Sequence, residues 1–234
     1  MPKVVLELKE VWKHYPIEKV IALRGINFKV HEGDFIAIMG PSGSGKSTLM
    51  NIMGLLDMPT KGKLYLDNED VSKFSDDRLA EIRGKKIGFI FQMFNLIPTL
   101  TVLENVLLPN IFLGVDSTQK QKAVDILKSL GIGERVNHLP GQLSGGERQR
   151  AAIARSLINN PELILADEPT GNLDSKTGAQ IMKLLEDLHH KGKTIVVITH
   201  DPRIASFAHE TVNIIDGELT HNHLKSKQYI WRKK

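Results

Sequence analysis

The chain has 234 residues, 41% hydrophobic and 25% charged, enough for one large α/β domain or a core with a subdomain. It contains no cysteine, which excludes disulfides and thiolate metal sites and is compatible with a reducing cytoplasm. No apolar run approaches the roughly 18–20 residues a membrane span needs, Met1-Pro2-Lys3-Val4 opens no signal peptide, and the formal charge of +4 is mild.

Val4 to Val11 alternates, with Val4, Leu6 and Leu8 expected inward and Val5, Glu7 and Lys9 outward, the pattern of a half-buried strand. Tyr15 follows in His14-Tyr15-Pro16, read as a polar turn before a second strand, Val20 to Val30. An aromatic there can stack on an adenine face; taken alone it reads more readily as a packing residue. Gly33-Asp34 then turns the chain into Phe35-Ile36-Ala37-Ile38-Met39, a short apolar run expected as a buried strand.

Gly40-Pro41-Ser42-Gly43-Ser44-Gly45-Lys46-Ser47 comes next and fits the phosphate-loop pattern, with Thr48 to Met53 reading as the first turns of a helix. Glycines let the backbone curl until its N–H groups point at phosphate oxygens, and a helix N-terminus adds partial positive charge. Lys46 can reach the β- and γ-phosphates, and the Ser47 hydroxyl can complete a Mg²⁺ shell. The loop therefore reads as a nucleotide site, against the alternative of a Gly/Ser-rich turn without a ligand.

Pro59 to Gly62 reads as a turn, Lys63 to Leu66 as a strand, and Ser75-Asp76-Asp77-Arg78 as the start of a short helix. Lys86 to Phe91 reads as a strand ending in Gln92, a buried amide that can be satisfied by neighbours or offer its oxygen to a metal. From Met93 to Asn160 the pattern is helical. Thr101 and Glu104 form a capping box, and Thr118 to Leu130 carries apolar residues at a helical period. After the break Pro140-Gly141-Gln142, Leu143-Ser144-Gly145-Gly146-Glu147 opens a second glycine-rich helix, with Ser144 as N-cap. It is either an ordinary capped helix or a second anion site, and its own residues do not say which anion it faces.

Leu163 to Glu168 is an apolar strand ending in two carboxylates, at the edge where α/β sheets bind ligands. Asp167 suits a Mg²⁺ shell and Glu168 a general base that polarises an attacking water; the alternative is an acidic turn. Ser175 is expected to cap a helix running to about His190. Thr194 to Thr199 is another buried strand, ending in His200, either a structural histidine or one that contacts a γ-phosphate. Val212 to Thr220 reads as a closing hairpin around Asp216-Gly217. The tail cluster Lys225, Lys227, Arg232, Lys233 and Lys234 carries much of the net charge and reads as a solvated end, the alternative being contact with lipid headgroups or nucleic acid.

The phosphate loop, Gln92, Leu143 to Glu147, Leu163 to Glu168 and His200, in this order, resemble the nucleotide-binding ATPase subunit of ABC transporters along essentially the whole chain. The finer resemblance, through Phe91 to Pro98, Thr101 to Val106 and Pro169 to Asp174, is to the lipoprotein-release and macrolide-export (LolD/MacB-type) group. Met93 stands where a second Gln is frequent, and Leu113 to Ser117 is a short connection. A cell-division relative that regulates a cell-wall hydrolase, and soluble ABC ATPases, share parts of the pattern.

The resemblance implies an α/β fold: a P-loop NTPase core with a mostly parallel sheet, an N-terminal antiparallel β subdomain and an inserted α-helical subdomain. Its boundaries fall at 1–91 and 161–222 for the core, 92–160 for the helical part and 223–234 for the tail. It implies Mg-ATP hydrolysis, with ATP held by Tyr15, Gly40, Ser42, Gly43, Ser44, Gly45, Lys46, Ser47 and Thr48, and Mg²⁺ by Ser47, Gln92 and Asp167. Glu168, His200, Gln92 and Lys46 take the catalytic positions, and Tyr15 now takes the adenine-stacking one. Ser144, Gly145, Gly146, Glu147 and Asp174 are expected to face the ATP of a second copy in a head-to-tail homodimer. An integral membrane permease is the expected partner, with no nucleic acid, and the cytoplasmic face of the cell membrane the expected location. Met93 to Pro109 fits either a partner surface or a plain core.

Overall fold

The computed structural model describes residues 2–111 and 114–221; the basic tail and Leu113 lie outside them. Two sheets and a set of helices form three layers. The first sheet is antiparallel, in the order β2 (Val20–His31), β1 (Val4–Tyr15), β4 (Lys61–Leu66), β5 (Glu69–Asp70). The second has the order β10 (Glu218–His221), β9 (Glu210–Ile215), β3 (Phe35–Met39), β8 (Thr194–Thr199), β7 (Leu163–Asp167), β6 (Ile87–Ile90). Its strands are parallel from β9 to β6, and only β10 runs antiparallel.

Helix α1 (Lys46–Met53) lies between the sheets, and alternate residues of each parallel strand serve the two faces. Ile36 and Ile38 of β3 join β1, β2, α1 and α2 (Asp76–Lys86) in one core. Phe35 and Ala37 join a second core with α3 (Val102–Leu107), α4 (Ser117–Ser129), α5 (Gly145–Leu157), α6 (Ser175–His190) and α7 (Pro202–Ala205). Burial on both faces is why β3, β7 and β8 are apolar throughout rather than alternating.

Several expectations are corrected. Val5 is buried, not outward: β1 inserts an extra residue between the pairs Val4–His31 and Leu6–Val30, and this bulge turns both Val5 and Leu6 into the core. Tyr15 is the last residue of β1, paired with Val20, rather than a turn residue. Lys61 and Gly62 belong to β4, because Lys61 pairs with Trp12. The helix after the phosphate loop begins at Lys46. Asp174, not Ser175, caps α6, its carboxylate accepting from the N–H groups of Lys176 and Thr177 at 3.0 Å each. Met93 to Pro109 divides: Met93 and Ile97 are 70% and 41% exposed, whereas Val102, Val106 and Leu107 are core.

Candidate functional site

The parallel register sets Met39 beside Thr199, Ile198 beside Asp167, and Ala166 beside Ile90. The residues just past these strand ends, Gly40, His200, Glu168 and Gln92, therefore emerge along one sheet edge. A cleft of ≈ 1670 Å³ opens there, lined by Tyr15, Ser42, Lys46, Asp167, Glu168 and His200 among others. Gly43, Gly45, Ser47, Thr48 and Gln92 share its wall.

The loop between β3 and α1 is closely fitted. A Cβ on Gly40 would meet the Ile214 carbonyl oxygen at 2.2 Å, and Gly45 has φ +103° with the Ala22 oxygen 2.5 Å from where its Cβ would be. Only glycine takes both conditions. Gly45 is also the N-cap of α1 and offers no side-chain oxygen, whereas side chains cap α2 to α7. The positive end of α1 is thus left to a ligand. The Lys46 ammonium donates to the carbonyls of Gly40 at 2.8 Å and Pro41 at 2.7 Å, which holds it over the loop. Together these groups can hold an oligophosphate.

Opposite lie the carboxylates. Burial pushes the Asp167 carboxyl above its ordinary value, the Glu168 charge adds to this, and Lys46 opposes it. A carboxylate so placed gains from a cation. With the Ser47 hydroxyl and the Gln92 amide on the same wall, the donors are hard oxygens that fit Mg²⁺. Among the described residues no group of three or more His, Cys, Asp or Glu could hold a metal. Glu168 has φ +43°, and its Oε1 accepts from the His200 backbone N–H at 3.1 Å. Gln92 is exposed two residues beyond β6, not buried as expected, because it leaves the sheet before reaching the cleft wall. Asn172 Nδ2 donates to its carbonyl oxygen at 2.9 Å.

The second glycine-rich helix start is elsewhere. Ser144, Gly145, Gly146 and Glu147 open α5 outside the cleft, and Gly145, Gly146 and Gln149 of this helix pack against the segment from Pro169 to Thr177. Ideal Cβ positions on Gly145 and Gly146 lie 3.1 Å from Leu173 Cδ2 and 2.6 Å from Thr177 Cγ2. Buried Gln149 donates from Nε2 to the Pro169 oxygen at 2.7 Å. Asp174 is exposed beside this pair, also outside the cleft.

Other cleft residues had no local signal. Glu18, Ile21 and Arg24 reach the cleft from β2 and the turn before it. The Asp216-Gly217 turn braces the phosphate loop: the Gly217 N–H donates to the Ser44 oxygen at 3.0 Å, and Arg24 Nε donates to the Asp216 oxygen at 3.1 Å.

A family model described as "ABC transporter" matches residues 23–171. An ABC transporter ATP-binding protein of Thermotoga maritima is 53% identical over 220 residues, 93% of this chain and 94% of that one. The macrolide export ATP-binding/permease protein MacB of Chlorobium luteolum is 46% identical over 215 residues, which are 91% of this chain but 32% of MacB. Among solved structures, an ABC transporter cassette of Methanocaldococcus jannaschii in dimeric form superposes with a TM-score of 0.84 at 50% identity, covering 92% of this chain and 97% of that one. The same cassette, as a dimer in a post-hydrolysis state bound to ADP and Pi, superposes with a TM-score of 0.84 at 48% identity, covering 92% and 98%.

Proposed function

The chain belongs to the ABC transporter family of ATP-binding proteins, and from that premise we propose that two copies close head to tail over two Mg-ATP and that closure and hydrolysis drive a membrane permease. The observation that carries this is the facing of the Lys46 loop and the Asp167-Glu168-His200 edge across one cleft. A dimer bound to ADP and Pi, found for a cassette about half identical in sequence, supports it.

In this reading Lys46 and the loop N–H groups hold the phosphates, and Tyr15 stacks on adenine. Ser47, Asp167 and Gln92 hold Mg²⁺, which when bound neutralises charge on the phosphate oxygens. Glu168 orients the attacking water and draws on one of its protons; the water oxygen bonds to the γ-phosphorus, the bond to the ADP oxygen breaks, the proton passes to the released phosphate or to solvent, and ADP and phosphate leave. His200 contacts the γ-phosphate. The gain in rate comes from positioning and charge stabilisation. Ser144, Gly145, Gly146 and Glu147, with Asp174, close over the nucleotide of the other copy.

No helix among the described residues is long and apolar enough to cross a membrane; in this reading the work is delivered to a membrane permease. Residues 92–160 supply the arm that meets it, at the exposed Met93 and Ile97. The MacB likeness favours export, at the cytoplasmic face of the cell membrane. Glu168→Gln tests the reading: at saturating Mg-ATP it should elute as a stable dimer in sizing chromatography with turnover abolished. A variant that binds ATP yet stays monomeric would sink the head-to-tail scheme.

A further inference from the structure

Tyr15 lines the cleft beside the open hairpin turn, a place where a side chain is ordinarily mobile. Here it is tied down. Its hydroxyl donates to Asp57 Oδ2 at 2.9 Å. Asp57 Oδ1 accepts from Lys13 Nζ at 2.5 Å and from the Met58 N–H at 2.7 Å. Lys13 Nζ also donates to the Met58 carbonyl oxygen at 2.9 Å and stands 5.0 Å from the centroid of the Tyr15 ring, over one face. The Lys13 and Asp57 side chains are only 13% and 29% exposed, so the pair is poorly screened.

The location of Asp57 is the second observation. It follows the C-terminal end of α1, where a helix dipole disfavours a carboxylate. Burial works to raise its pKa as well, yet the hydrogen bonds from Lys13, Tyr15 and Met58 outweigh burial and hold the carboxyl below its ordinary value. Burial and the bond to Asp57 in turn push the Tyr15 phenol up, against a hydrogen bond with Thr48 that works the other way, so it remains a donor. The N-terminus of the same eight-residue helix is the phosphate loop.

We propose that Asp57 and Lys13 are positioning residues for base recognition: they clamp the Tyr15 ring, and α1, about 12 Å long at 1.5 Å per residue, sets its distance from the phosphate loop. The ligand is a purine nucleoside triphosphate, with the base on the ring face that Lys13 leaves free. This rests on the reading of Tyr15 as the base-stacking residue. A ring ordered before the ligand arrives loses less freedom on binding, which is how a clamp without ligand contact raises affinity.

The test is calorimetric titration with two probes, Mg-ATP and Mg-tripolyphosphate, the second carrying no base. Tyr15→Phe, which deletes one oxygen, and Asp57→Asn should each weaken Mg-ATP about three- to tenfold and leave tripolyphosphate unchanged. The double variant should be no weaker than either single. Lys13→Met should follow Asp57→Asn. Equal weakening of both probes would overturn the proposal, since the effect would then run through α1 into the phosphate loop. Tyr15→Ala separates the two readings. If it weakens ATP while Tyr15→Phe and Asp57→Asn do not, the clamp fails and stacking stands; if it leaves ATP unchanged, stacking fails and the clamp with it.

Discussion

His200 Nδ1 lies 2.6 Å from Oε1 of Glu168, and Thr199 Oγ1 donates to the other carboxylate oxygen at 3.2 Å. The end of β8 thus fixes both oxygens of a residue that ends the neighbouring strand in a left-handed backbone conformation, φ +43°. A non-glycine residue kept in that region stores strain, and such residues cluster at functional sites. Glu168 is presented to the cleft by its neighbours, not by its own backbone preference.

His200→Ala should therefore act on turnover more than on binding. The Thr199 contact remains to hold Glu168, but the imidazole is lost from the reacting edge. We expect kcat to fall about a hundredfold, with the Kd for Mg-ATP changed less than threefold. A large loss of affinity with kcat retained would move His200 from the chemistry to nucleotide binding.

Asp167 gives a pH prediction whose sign is fixed by the direction of its shift. Its folded carboxyl is raised by burial first and by Glu168 second. An acid raised on folding costs nothing when both states are protonated; its cost grows as pH rises from the ordinary value of 3.8 and is full above the folded value. Asp167→Asn should thus raise the melting temperature of the nucleotide-free protein at neutral pH, and the gain should vanish in acid. The same variant should lose about a hundredfold in Mg-dependent hydrolysis. A melting gain that persisted below pH 3.8 would contradict the assignment of the cost to ionisation.

What was legible in the sequence was local. The Thr101–Glu104 capping box lies within one helical turn and forms as read; Ser144 caps α5 as read, and the structure adds Glu147 as the other half of a box there. The apolar runs of β3, β7 and β8 announce strands covered on both faces, and their register then brings Lys46, Asp167, Glu168 and His200 to one cleft. What was not legible depends on distant partners. The bulge that buries Val5 needs the β2 register, and the Gly217 brace on Ser44 joins residues remote in sequence. Asp174 won the cap of α6 over Ser175 because one carboxylate oxygen reaches two N–H groups, which residue type alone does not decide.

Arg155, on α5, donates from its guanidinium to the carbonyls of Asn95 and, at 2.9 Å, Phe94. These two residues have φ of +50° and +61°, a left-handed backbone that Asn95 tolerates and Phe94 does not favour, just after Gln92. Burial lowers the Arg155 pKa, which marks the ion as dependent on those two carbonyls. Arg155→Lys keeps the charge but replaces the planar fork with a single ammonium. It should cost about 1–2 kcal/mol, and hydrogen exchange should quicken in residues 93–98 before it does in α5. Uniform quickening through α5 would show that Arg155 serves the helix and not the loop.

Glu147 closes the cap of α5. Its carboxylate accepts from the Ser144 N–H and hydroxyl at 2.8 Å each and from Arg135 Nε at 2.9 Å. The Ser144 bonds, backbone first, and then Arg135 hold its carboxyl down to about 2, from an ordinary 4.5. The sign is opposite to that of Asp167: a depressed acid adds stability that is full above 4.5 and is lost as pH falls through about 2. Glu147→Gln keeps an acceptor for Ser144 but loses the charge that faces Arg135 and the positive end of the helix. The wild-type advantage should be on the order of 1 kcal/mol at neutral pH, because solvent still reaches and screens this half-buried carboxylate. It should narrow below pH 4.5 and close near 2. Paired thermal melts of the two proteins across that range measure it, and a gap independent of pH would assign the stabilisation to shape rather than charge.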